Sequence, residues 1–171
     1  TKDSGGKIST AETTIRIGNL WMLYLCQAKG AGVIPCFIVD AGFLQRLKED
    51  YPEFRFIKGS KFAFRPPKTI VLGPPELFSE LLALHEVSHA ILGHKTFRMD
   101  VERLRMESEA WEKARELADR YSIEVNENLI QDELDTYRDW LYSKSKCKKC
   151  GLTRYQTPDG IYHCPRCENL A

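Results

Sequence analysis

The chain has 171 residues, of which 43% are hydrophobic and 29% charged, with a formal net charge of +1. This suits one domain of ordinary size plus a small module, and it excludes a disordered or fibrous protein. The near-zero balance gives no general affinity for nucleic acid, and no apolar run approaches the ~20 residues that span a bilayer. Residues 1 to 8 are polar and lack the apolar stretch of a secretory signal. Six cysteines in such a chain point to metal binding instead of disulfides, so a cytoplasmic, reducing setting is expected.

Thr1 to Lys7 reads as a loose terminus. Ser9 or Thr10 is placed to cap a helix reaching about Ala28 and ended by Gly30-Ala31-Gly32. Val33 to Val39 is a short apolar run with a β-branched bias, which predicts a strand. Cys26 and Cys36 lie among apolar neighbours and read as buried thiols. Gly42 to Asp50 predicts a short helix closed by Tyr51-Pro52. Phe54 to Ile57 and Phe62 to Arg65 alternate with period two around Lys58-Gly59-Ser60-Lys61, a hairpin pattern. Lys68 to Leu72 adds another strand. The fold class expected is α+β, with a small, mostly antiparallel sheet lying against helices.

The most informative stretch is Leu81 to His94, LLALHEVSHAILGH. Its HExxH sets His85 and His89 one helical turn apart, so both imidazoles face one point and can grip one metal ion. Imidazole nitrogens suit zinc, and Glu86 between them would face the metal-bound water as general base. Pro74-Pro75 precedes this helix and Gly93 sits where helices stop. A helix so apolar all round belongs in the core.

Two histidines leave a catalytic zinc one protein ligand short. The extended pattern HExxHxxGxxH is not met, since Leu92 and Lys95 occupy the positions of its glycine and third histidine. The next helix, about Val101 to Tyr121 with Asp100 as cap, offers Glu107 and Glu109. Leu104, Trp111, Ala114, Ala118 and Tyr121 mark its buried stripe, and Glu107 falls on it. Glu109 lies ~200° away in a helix of 3.6 residues per turn. It aligns with Lys113, Glu116 and Arg120 on a face expected to be solvated. Glu107 is therefore the expected third ligand, with His85, His89 and Glu107 holding a catalytic zinc and Glu86 catalytic. Asn126 is placed to cap a further helix reaching Tyr142, with Ile130, Leu134, Tyr137 and Leu141 on its packed side.

This arrangement resembles the gluzincins. Within them, HEVSHAILGH paired with ESEAWEKARELA is most similar to the ImmA/IrrE-type metallopeptidases, over roughly residues 33 to 121. The resemblance implies a zincin-like domain over residues 1–142, with an N-terminal helix, the small sheet, the HExxH helix and two further helices. It also implies that His85, His89 and Glu107 bind zinc and that Glu86 activates water. The chain departs from the family at Trp111, where a small or polar residue is usual, and in its appended cysteine module.

Ser143 to Lys146 reads as a linker to that module, over residues 143–171. In it, Cys147, Cys150, Cys164 and Cys167 form two CxxC pairs separated by 13 residues. Such pairs close one tetrahedral structural zinc site, a zinc ribbon whose folding energy comes from the metal. Thr157-Pro158-Asp159-Gly160 would turn the connecting hairpin. This tail carries +4 of charge against −3 for the first 142 residues. Lys146, Lys148, Lys149, Arg154 and Arg166, with Tyr155 and Tyr162 to stack, would allow nucleic-acid contact. His163 reads as a ribbon surface residue.

Two zinc ions and a protein substrate are thus expected, with no membrane partner; oligomeric state is not legible. The function expected is endopeptidase cleavage of a specific intracellular protein. For the oxyanion, His94, Tyr137 and several arginines are open candidates, and Lys68 to Leu72 is a candidate edge strand for substrate pairing. The domain order also resembles SprT-like proteases, which act on proteins crosslinked to DNA and take a downstream histidine as third ligand; here that would be His94. A non-catalytic nucleic-acid or protein adaptor is the remaining expectation.

Overall fold

A computed structural model of the chain describes residues 12–17, 20–25, 41–74 and 78–168. Two strands, β1 (Glu12–Ile17) and β2 (Leu20–Leu25), pair antiparallel, with Glu12 opposite Leu25 and Ile17 opposite Leu20. The N-terminal helix expected across this stretch is therefore replaced by a hairpin. The sequence accounts for it: Thr13, Thr14, Ile15 and Ile17 are β-branched. Cys26, Cys36 and the strand expected over Val33 to Val39 lie outside the described residues.

Helix α1 (Ala41–Asp50) follows as expected, with Phe43 and Leu47 buried. Next come β3 (Arg55–Lys58), β4 (Ala63–Arg65) and β5 (Thr69–Leu72), in the order β3-β5-β4. β5 runs parallel to β3 and antiparallel to β4, so the sheet is mixed and the expected hairpin between residues 54 and 65 does not form. Burial explains the order. Ile70, Val71 and Leu72 are all buried, while the residues of β3 and β4 are half-buried or exposed. The strand that is apolar on both faces takes the centre, where both of its edges are paired.

Helix α2 (Ser79–Ile91) starts after Phe78, which adopts left-handed φ 62° and packs against the core. It ends at Gly93, whose φ of 68° favours glycine. Helix α3 (Asp100–Tyr121) packs on α2, and its Ala110, Ala114 and Ala118 are fully buried at four-residue spacing. The Glu102 carboxylate accepts from the N–H groups of Arg98 (2.7 Å) and Met99 (3.2 Å) and closes its first turn. At the far end Tyr121 packs edge-to-face on Phe43 and donates to Asp50 (2.5 Å), tying α3 to α1. Helix α4 (Glu127–Ser145) is capped by Asn126, whose side chain accepts from the Leu129 N–H (2.9 Å). No helix among the described residues is long and apolar enough to cross a membrane.

The fold is thus α+β, with a cysteine cluster near the C terminus. α4 runs straight through the stretch expected to be a linker and delivers Cys147 two residues after its end. Beyond it, β6 (Tyr155–Gln156) and β7 (Tyr162–His163) form a short antiparallel pair. Asp100 is not a cap but a buried anchor for this module. Its carboxylate accepts from Tyr162 Oη (2.9 Å) and pairs with Lys144 Nζ (2.7 Å), and its N–H donates to Gln156 Oε1 (2.7 Å). Asp100→Ala should cost about 1–3 kcal/mol, because it strips a buried acceptor from two donors. Hydrogen exchange should quicken in β6, β7 and the first turn of α3; unchanged protection there would show that the module is not held by Asp100.

Candidate metal centre

The core fixes the first two ligands before any metal is considered. Leu81, Leu84 and Val87 lock α2 into the interior, and Ser88 turns its hydroxyl back to the Leu84 carbonyl (2.7 Å). His85 and His89 then project toward α3 and meet Glu107, all three at most 9% exposed. Their Nε2 atoms are 3.1 Å apart and lie 3.2 and 3.3 Å from Glu107 Oε2. A tetrahedral ion with bonds of ~2.0–2.1 Å has ligand-to-ligand edges of about 3.3–3.4 Å. The triangle is of the size that fits a small divalent cation. The helical phase that favoured Glu107 over Glu109 gives the same three residues.

Protonation agrees with this. Burial pushes the His85 imidazole down to about 4, keeping it neutral as a ligand must be. For Glu107, burial acts to raise the carboxyl, but the hydrogen bonds and charges of His85 and His89 outweigh it and hold it well below the usual range. Burial raises the Glu86 carboxyl to about 7, opposed by His89 and by the Phe64 backbone N–H that faces it.

A second layer, not read from the sequence, holds the His89 ring. His89 Nδ1 lies 2.8 Å from His94 Nδ1, and His94 Nε2 lies 3.3 Å from Glu109 Oε2. A carboxylate only accepts, so the chain has one consistent direction. His94 Nε2–H donates to Glu109, His89 Nδ1–H donates to His94, and the His89 Nε2 lone pair is left for the metal. Burial and the neighbouring His89 lower the His94 pKa, in keeping with a neutral ring. Glu109 lies on a solvated face as expected, its side chain 45% exposed and paired with Arg105 one turn away, and it meets His94 as well. His85 has no such partner, and its Nδ1 is buried without a hydrogen bond. Its ring is fixed instead by stacking on Trp111, with centroids 4.0 Å apart.

The three residues open on a cleft of about 420 Å³. One wall is the segment Lys61 to Phe64, another is Arg103, Met106 and Tyr137, and His94 to Phe97 closes a side. Among the described residues β4 is thus the edge strand at the cleft. The expected edge strand, Lys68 to Leu72, lies in the sheet's centre as β5 with both edges paired. Tyr137 sits beside Glu107 and Arg103, and burial together with Glu107 raises its hydroxyl so that it stays protonated. Arg103 escaped the sequence reading, although it lies four residues before Glu107 and hence on the same face of α3.

The four cysteines also meet. Cys147 and Cys167 Sγ are 3.9 Å apart, Cys150 and Cys164 Sγ 3.5 Å, and all four lie within 4.8 Å of one another as free thiols. Metal–sulfur bonds of ~2.3 Å give tetrahedral edges of about 3.8 Å, so this cluster too fits one ion. Backbone N–H groups of Cys150 and Lys149 lower the Cys147 thiol to about 6. Hydrogen bonding to Cys150, together with burial, pushes Cys167 up to about 12, as expected where thiols crowd together. Thr157 to Gly160 forms the expected turn, and His163 pairs with Glu168 (3.0 Å), away from the sulfurs. Several of the residues expected to meet nucleic acid are engaged internally. Arg154 donates to the Lys144 carbonyl (2.5 Å), Lys146 lies over Tyr142, and Tyr162 serves Asp100.

No protein-family model, curated protein or solved structure matches this chain. Metal assignment to the two clusters rests on their donor chemistry and geometry.

Proposed function

We propose that the protein is a zinc-dependent endopeptidase of the gluzincin type, similar to the ImmA/IrrE-type metallopeptidases, with a structural zinc ribbon at its C-terminal end. The observation that carries this reading is the His85–His89–Glu107 triangle, with Glu86 facing a cleft bordered by an edge strand. Two imidazoles and one carboxylate with room for water form a catalytic donor set for zinc, and four thiolates a structural one. When bound, zinc supplies Lewis acidity and a water that ionises near neutrality. Glu86 takes the water proton and passes it to the leaving amine, a role suited to a carboxyl near 7. Tyr137, kept protonated on the cleft wall, is the donor for the developing oxyanion. β4 offers its outer edge to an extended peptide, which a narrow specificity would exploit. Against the SprT-like reading, His94 spends both ring nitrogens on His89 and Glu109.

Glu86→Gln tests the proposal. The variant should keep two zinc ions per chain and lose about 10²–10⁴-fold in turnover. Incubating each form with cell lysate and mapping new protein termini reads the outcome. Termini produced equally by both proteins would refute the peptidase reading.

A further inference from the structure

Five charged residues line the cleft. Glu86 and Glu107 belong to the metal chemistry, and Lys61, Lys95 and Arg103 are cations. Among the described residues, none of these three has a carboxylate within 4.0 Å. With a divalent ion in place, its charge offsets the two carboxylates, and the cations give the cleft a positive surplus. Arg103 is the ordered one. Its guanidinium carbon lies 5.7 Å from the Phe97 ring centroid, 5.1 Å from Tyr137 and 5.2 Å from Trp140. Three aromatic rings hold the guanidinium without neutralising it. Arginine held this way keeps a planar N–H fork that matches a carboxylate with two parallel hydrogen bonds, and little side-chain entropy is left to lose. Its place on α3, one helical turn before Glu107, puts that fork within a residue or two of the scissile bond.

We propose that Arg103 reads a carboxylate on the substrate peptide, so that cleavage occurs beside an acidic residue or a free C terminus. The inference rests on the peptidase reading above. Lys61 and Lys95, both exposed at the rim, steer the same charge inward and contribute mainly to the salt dependence of encounter.

The test uses a randomised library of N-acetylated peptides in two forms, C-amidated and free-acid, with the zinc-loaded full chain. In the amidated form, enrichment of Asp or Glu at one position near the cut assigns the site to an acidic side chain. Enrichment of cuts near the end of free-acid peptides alone assigns it to the C terminus. Arg103→Met, which keeps an apolar stem against the rings, should lower kcat/KM on the preferred peptides by roughly 10- to 100-fold, chiefly through KM, and affect neutral ones far less. Arg103→Lys should fall between. Cleavage without acidic preference, a preference unchanged in Arg103→Met, or an equal kcat loss on acidic and neutral peptides would each overturn the proposal. Binding of the same peptides to Glu86→Gln separates the two readings. If the wild type cleaves nothing but Glu86→Gln still prefers acidic peptides through Arg103, the peptidase reading fails and the carboxylate site stands. If neither cleavage nor selective binding is seen, both fall.

Discussion

On the proposed two-zinc reading, Glu107→Ala should leave one zinc per chain and the unsubstituted protein two. His85 and His89 alone give two nitrogen ligands, and a catalytic zinc site draws on three protein ligands. Zinc content measured with the ribbon ion as internal reference reads this directly. His94→Ala should behave differently, because His94 acts on the metal only through the His89 ring; removing such a partner weakens affinity about 10–100-fold without emptying the site. Glu109→Ala should have a smaller effect in the same direction, since it holds His94 through a single half-exposed contact. A graded order is therefore expected, with Glu107 largest, His94 intermediate and Glu109 least. If His94→Ala empties the site while Glu107→Ala retains both ions, the ligand assignment is wrong and the SprT-like arrangement gains ground.

Trp111→Ala should be the costliest substitution for the fold, at about 3–5 kcal/mol. The side chain is 1% exposed, sits in the core between α2 and α3, and forms the stacking surface for His85. Its indole N–H has no hydrogen-bond partner among the described residues, so the loss is one of packing and cavity formation. Trp111→Phe should accordingly be far milder, because it keeps an aromatic face and removes a buried donor that is unsatisfied. Chemical denaturation of the metal-free protein measures the fold term alone. Zinc affinity then reports on His85, whose Nδ1 has no hydrogen-bond partner among the described residues. A cost below about 1 kcal/mol for Trp111→Ala would mean that the core closes over the gap and that the stacking contributes little. Trp111 is thus part of the wall against which His85 is set.

The local part of this protein was legible in the amino-acid order alone. The HExxH helix, the phase that chooses Glu107 over Glu109, the Asn126 cap and the pairing of two CxxC motifs all come from spacings within one element or one short loop. Helical geometry converts such spacings into directions with no knowledge of the remaining chain. The apolar run Leu20 to Leu25 shows the limit: six residues without a polar break satisfy helix and strand alike, and pairing with Glu12 to Ile17 decides. The same holds for β5, whose central place depends on two strands competing to cover Ile70 to Leu72. Contacts between elements had to form before Glu109 met His94, Asp100 was seated beneath the ribbon, and Arg103 lay among Phe97, Tyr137 and Trp140 at the cleft. Each of those contacts depends on how one element is placed against another. Packing of the shared core fixes that placement, and periodicity within a single element does not encode it.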